Sequence, residues 1–206
     1  MLKISTNEEE QAGGRVLAWW DGKGAARVLA IDGNAVLMER APRNHSLATM
    51  ARNDQDGEAT RIICDVIAEL HRARASDPPP DLIPLSLWFR QLEPAAMRYG
   101  GPLVPSAAFA RALLANPQDV RVLHGDIHHE NILDFGERGW LAIDPKGLIG
   151  ERGFDYANLF TNPDLSDPTL RVATLPERFQ QRLTLVTEKS GIERRRLLHW
   201  IIAWCG

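Results

Sequence analysis

Two short apolar runs, Val120-Arg121-Val122-Leu123 and Trp140-Leu141-Ala142-Ile143, each lead without a spacer into a charged cluster, and no other feature constrains the chain as much. Runs of this length and composition read as β-strands. The first opens into His124-Gly125-Asp126-Ile127-His128-His129-Glu130-Asn131 and is closed again by Ile132-Leu133. The second opens into Asp144-Pro145-Lys146-Gly147. Apolar anchors hold a polar loop rigidly, so a loop and a strand end can converge on one point.

Around these clusters the chain divides unevenly. Residues 1–41 read as a small mixed unit: Leu2-Lys3-Ile4 as a strand, Glu8 to Trp20 as a helix, and Ala26 to Ala30 and Ala35 to Glu39 as two strands joined through Asp32-Gly33-Asn34. Residues 42–206 read as a larger, mainly helical unit. Ile62, Ile63, Val66, Ile67 and Leu70 recur at helical spacing within 59–74, ahead of Pro78-Pro79-Pro80. Further helices are predicted over about Leu85 to Tyr99, Ser106 to Leu114, and most of the chain from Phe154. The last pattern, Leu197, Leu198, Ile201 and Ile202, still runs as the chain ends, so shortening and an exposed apolar stripe prone to pairing are expected there.

Composition removes several classes of partner. A formal charge of −3 with scattered arginines gives no basic footprint for nucleic acid. No apolar run approaches the roughly 20 residues needed to cross a bilayer, and the start, MLKISTNEEE, lacks a signal-peptide core. Two cysteines, Cys64 in a helical apolar pattern and Cys205 near the end, provide neither a disulfide framework nor a CxxC metal site, which fits a reducing cytoplasm.

The clusters themselves point to phosphoryl transfer. Magnesium prefers carboxylate and carbonyl oxygens and keeps water and substrate phosphate in its shell. Asn131 and Asp144 supply those two oxygen types. An aspartate five residues before an asparagine, with a further aspartate downstream, is the arrangement that kinase chemistry uses. Asp126 would aim an acceptor hydroxyl and take its proton as the bond to phosphorus forms. His128 is placed to hydrogen-bond the transferring phosphate, and Lys146 reads equally well as a phosphate contact or a solvated turn lysine.

His124-Gly-Asp-Ile-His-His-Glu-Asn131, Ile143-Asp144-Pro-Lys-Gly147 and Gly153-Phe-Asp155-Tyr-Ala-Asn-Leu-Phe160 together resemble the aminoglycoside phosphotransferase family. Leu2-Lys3-Ile4, Trp19-Trp20-Asp21-Gly22 and Leu37-Met38-Glu39-Arg40-Ala41 extend the resemblance over most of the chain, toward the branch of streptomycin 6-kinases and hydroxyurea-resistance kinases. The resemblance implies an α+β, protein-kinase-like two-lobe fold with an incomplete N-terminal β lobe (1–41) and a mainly helical C-terminal catalytic lobe (42–206). It implies ATP and Mg2+ as cofactors, with Lys3 holding phosphates and residues Glu39 to Ala41 pairing with adenine. One glutamate among Glu8, Glu9 and Glu10 would steady Lys3. The implied acceptor is a hydroxylated small molecule such as streptomycin or hydroxyurea. Only two residues precede Lys3, so the glycine-rich hairpin that covers the phosphates in such kinases is expected to be absent.

Plainer readings stand beside these. His124 is expected to be structural, and Asp155 to brace the catalytic loop as a helix-capping carboxylate. The tryptophans Trp19, Trp20, Trp88, Trp140, Trp200 and Trp204 are expected in the core or between lobes. Two alternative functions remain at this stage: a kinase-like binding module without chemistry, and a metallohydrolase built on His124-x-Asp126-x-His128-His129.

Overall fold

The computed structural model describes residues 1–6 and 8–206. The chain opens with β1 (Leu2–Ile4), α1 (Glu8–Trp20), β2 (Val28–Asp32) and β3 (Ala35–Met38). β3 is the middle strand of an antiparallel sheet in the order β1-β3-β2, with Lys3 opposite Val36 and Asp32 opposite Ala35. Val16, Leu17 and Trp20 on α1 and Val36 and Met38 on β3 are buried in the core.

The rest begins with α2 (Leu47–Met50), capped by the Ser46 hydroxyl, and runs through a kinked turn into α3 (Asp56–Leu70). Ile63, Val66, Ile67 and Leu70 form the buried stripe of α3 that their spacing predicts. The helix ends at Leu70 rather than Arg74, and His71 at its C-cap pairs through its ring with Asp155. β4 (Ile83–Pro84) then leads into α4 (Leu85–Trp88), a 3-10 turn at Phe89–Gln91, and α5 (Leu92–Tyr99). The single helix expected over 85–99 is thus broken. Pro94 explains the break: mid-helix it would lack an N–H and crowd the preceding turn, whereas in the first turn of α5 no partner is required. Pro105 sits likewise in the first turn of α6 (Leu103–Ala115), which begins earlier than its apolar pattern suggests.

β5 (Val120–Leu123) pairs antiparallel with β8 (Leu148–Glu151), which also takes β4 on its other edge, and β6 (Ile132–Asp134) pairs with β7 (Trp140–Ala142). β6 and β8 do not stand out in the sequence. Both are short, and β8 contains Gly150, where a Cβ would lie 2.5 Å from the Leu85 side chain. The chain closes with α7 (Gly153–Ala157), α8 (Pro176–Ser190) and α9 (Arg194–Trp204). The apolar stripe of α9 is not exposed as expected: Leu197, Trp200, Ile201 and Ala203 are buried, and the helix packs on α6 and α7. Among the described residues, no helix is long and apolar enough to cross a membrane.

Candidate active site

Backbone hydrogen bonds bring the two charged clusters together. The Ile143 N–H donates to the Asn131 carbonyl at 2.9 Å, so Asp144 emerges beside Asn131. The Asn131 side-chain amide donates to the Asp126 carbonyl at 2.8 Å, which commits its nitrogen and leaves its oxygen as the group able to face a cation. Lys3, delivered across the cleft by β1, forms an ion pair with Asp144. Asp126, Asn131, Asp144 and Lys3 therefore belong to one locus. Asp144 adopts a left-handed backbone conformation (φ 62°), which is rarely populated by residues other than glycine and is often retained at functional sites.

Asp126 is surrounded by polar partners. Asn158 donates to Oδ1 at 3.3 Å, the His128 Nε2 lies 3.9 Å from the same oxygen, and the Lys146 Nζ lies 3.7 Å from Oδ2. Asn158 is aimed in turn by Asn162, whose amide donates to its side-chain oxygen at 2.7 Å. Sequence reasoning gives neither asparagine a role: Asn158 lies in the stretch 153–160 without being singled out, and Asn162 follows it by four residues. Beside Asp126 opens a cavity of about 310 Å³ lined by Trp88, Phe89, Gly125, Lys146, Phe154 and Trp204. Trp20 and Trp200 are core residues as expected, whereas half-buried Trp88 and Trp204 line this cavity.

The loop bearing Asp126 rests on two buried groups. The Asp155 carboxylate accepts from the His124 N–H at 2.9 Å, the Gly125 N–H at 2.8 Å and the His71 ring at 2.9 Å. It lies inside α7, with Arg152 at the cap position, so it braces the loop without capping a helix. Burial alone raises its pKa, but the His71 hydrogen bond and the other contacts outweigh that and hold it below the ordinary carboxylate value. The His124 Nε2 meets the Ile143 carbonyl at 2.8 Å, and Nδ1 accepts the Asp126 N–H at 3.2 Å. A carbonyl only accepts, so this ring carries its proton on Nε2. Burial pushes the His124 pKa down and keeps it neutral.

The segment after β3 is arranged differently from a simple reading of its side chains. The Glu39 carboxylate is ion-paired with Arg138 and accepts the Arg27 N–H, while its own N–H donates to the Arg27 carbonyl at 3.0 Å. Its side chain is thereby committed. Ala41 packs with Leu133 and Ile143 against the small buried cluster of Ala26, Phe135 and Leu141. Glu10 lines the same narrow cleft as Lys3 and Asp144. Asn7 and the side chains of Glu8 and Glu9 lie outside the described residues.

A sequence model of the aminoglycoside/hydroxyurea antibiotic resistance kinases matches residues 1–206. The chain belongs to that family. It is 57% identical over 206 residues to the streptomycin 3''-kinase of Klebsiella pneumoniae, covering all of this chain and 77% of that protein. It is 31% identical over 213 residues to the hydroxyurea phosphotransferase of Kitasatospora aureofaciens, covering 98% of this chain and 58% of the other. In structure it resembles aminoglycoside phosphotransferase APH(3'')-Id from Streptomyces rimosus, solved with ADP and streptomycin, with a TM-score of 0.62 at 19% identity over 100% of this chain and 86% of that one. An ethanolamine kinase of Plasmodium vivax gives a TM-score of 0.63 at 13% identity, over 98% and 65%. As a member of the family the chain is a small-molecule kinase, and its fold is protein-kinase-like. The metallohydrolase alternative is not favoured: no cluster of three metal-ligating side chains occurs among the described residues, and His124 is turned to the Ile143 carbonyl.

Proposed function

We propose that this kinase transfers the γ-phosphate of ATP, with Mg2+, to a hydroxyl of a streptomycin-type aminoglycoside, in the cytoplasm where ATP is made. The observation that carries the proposal is the hydrogen bonding that holds Asn131 against Asp126 and sets Asp144 beside it, with Lys3 paired to Asp144. The 57% identity to a streptomycin 3''-kinase favours the 3''-hydroxyl over the 6-hydroxyl. Residues 1–41 would roof the nucleotide and 42–206 would carry the chemistry, with adenine over the apolar cluster beside Ala41 and against the backbone of Glu39 to Ala41.

The donor set fits magnesium. One carboxylate, Asp144, and one amide oxygen, Asn131, are too few to retain a bare ion but suit one that arrives with triphosphate oxygens and water. When bound, the ion would neutralise charge on the phosphates. Lys3 would hold the same phosphates from the opposite wall, and His128 and Lys146 would meet the group in transfer. Asp126, held by Asn158, would orient the acceptor hydroxyl and receive its proton. The acceptor would lie in the cavity between Trp88 and Trp204, whose indole faces suit a cationic sugar.

The test is ATP consumption with streptomycin and hydroxyurea as acceptors, followed by NMR location of the new phosphate. Turnover of streptomycin giving the 3''-phosphate is expected. Turnover of hydroxyurea alone, or of neither, would refute the acceptor assignment.

A further inference from the structure

The segment carrying Asp144 is wedged between two other stretches of backbone at distances that glycine allows. On one side lies α1. A Cβ on Gly13 would fall 1.9 Å from the Pro145 carbonyl oxygen and 3.0 Å from its carbon, and a Cβ on Gly147 (φ +70°) would fall 2.9 Å from the Ala12 carbonyl carbon. On the other side lies the loop bearing Asp126. There the Lys146 N–H donates to the His124 carbonyl at 2.7 Å, and a Cβ on Gly125 would sit 3.0 Å from the Lys146 Cβ.

α1 is therefore more than a neighbour of Asp144. It follows β1, whose Lys3 pairs with Asp144, and its Glu10 lines the same cleft. Any displacement of α1 relative to Pro145 changes the pairing of Lys3 with Asp144 and the left-handed turn that presents the carboxylate. Gly14, one residue on, supplies a contrast: a Cβ there would meet only a methyl of Val36, at 2.8 Å. A side-chain methyl can shift on its own, whereas the Pro145 carbonyl moves only with the loop.

We propose that Gly13 is a positioning residue for phosphoryl transfer: its lack of a side chain lets the α1 backbone rest on Pro145 and so fixes the Asp144 carboxylate. The inference rests on the reading of this cleft as the phosphotransfer site. Groups that orient a metal-binding residue without touching the metal are typically worth about 10- to 100-fold in affinity or activity.

The experiment is a thermal-shift titration with AMP-PNP, with and without magnesium, on the wild-type chain, Gly13→Ala and Gly14→Ala, alongside steady-state kinetics with streptomycin. In Gly13→Ala the magnesium·AMP-PNP concentration giving half the shift should rise about 10- to 100-fold, and kcat should fall comparably. The KM for streptomycin should change less than kcat, because Lys146 is the one residue of the displaced segment that lines the cavity by Trp88. Gly14→Ala should titrate like wild type. A folded Gly13→Ala with an unchanged magnesium-dependent shift and unchanged kcat would overturn the inference alone.

If Gly13→Ala proves unfolded by circular dichroism, hydrogen exchange of the wild-type chain decides. Magnesium·AMP-PNP should slow exchange at residues 12–16 together with 146–148, and streptomycin alone should not. Unchanged exchange in α1 would overturn the inference. A wild-type chain with neither a magnesium-dependent shift nor turnover would overturn the phosphotransfer reading and this inference with it.

Discussion

Replacing Asp155 by alanine removes the brace beneath the loop that carries Asp126. The side chain is fully buried and accepts three hydrogen bonds, from the His124 N–H, the Gly125 N–H and the His71 ring. Truncation leaves two backbone donors and one imidazole nitrogen in the interior without a partner. Each orphaned buried donor costs about 1–3 kcal/mol. With three such donors partly relieved by local relaxation, the expectation is about 4 kcal/mol, a large share of the roughly 5–15 kcal/mol typical of a whole domain. Urea unfolding at pH 7, followed by tryptophan fluorescence, measures it. Asp155→Asn keeps one acceptor oxygen and should lose about half as much. A loss below about 1 kcal/mol in Asp155→Ala would refute the reasoning. The pH dependence supplies a second check. Because the folded-state pKa lies below the ordinary 3.8, the carboxylate's stabilisation is complete above that value and disappears as pH falls through the folded pKa. The alanine variant should lack that part of the acid transition.

Asp126→Ala should lower kcat by about 10²- to 10⁴-fold in a coupled ADP-release assay. Its melting temperature should barely change, since the side chain is 35% exposed and serves the cleft; full turnover would remove Asp126 as the proton acceptor. Arg182→Met strands Asp56, itself 1% exposed, without the guanidinium that pairs with it, and should cost about 3–5 kcal/mol in urea unfolding. Burial raises the Cys64 thiol to about 12, so iodoacetamide at pH 8 should label exposed Cys205 in the folded chain and reach Cys64 only in denaturant. Equal labelling by mass spectrometry would contradict the buried placement.

What could be read in advance follows from how local each signal is. α1 occupies the residues its pattern assigns, and the β2–β3 hairpin turns at Asp32-Gly33-Asn34 as expected. The closeness of Asp126 and Asn131 is legible because five residues separate them and apolar strands flank them. The contact of Asn158 with Asp126 is not: it spans 32 residues, and the stretch 153–160 around it gives no sign of which side chain faces the loop. Trp88 and Trp204 look like ordinary core tryptophans, because a helical apolar position carries no record of whether the facing space is filled or open. The same blindness misjudged α9, whose stripe finds α6 and α7 only in three dimensions. Gly13 was equally silent, since the object it makes room for is the Pro145 carbonyl on the far side of the chain.

His124 shows why the two clusters hold one geometry. Its ring spans them, with Nδ1 accepting from the residue of the proposed base and Nε2 donating to the carbonyl immediately before Asp144. Only one tautomer satisfies both bonds, and only a neutral ring does, because a proton on Nδ1 would confront the Asp126 N–H, itself a donor. Burial favours that state by depressing the His124 pKa. The sign has a consequence for folding: between its depressed value and the ordinary 6.5, the unfolded chain binds a proton that the folded one refuses, so this contribution to stability weakens as pH falls below 6.5. The histidine of the His-Gly-Asp motif thus ties the spacing of Asp126 and Asp144 to a protonation state.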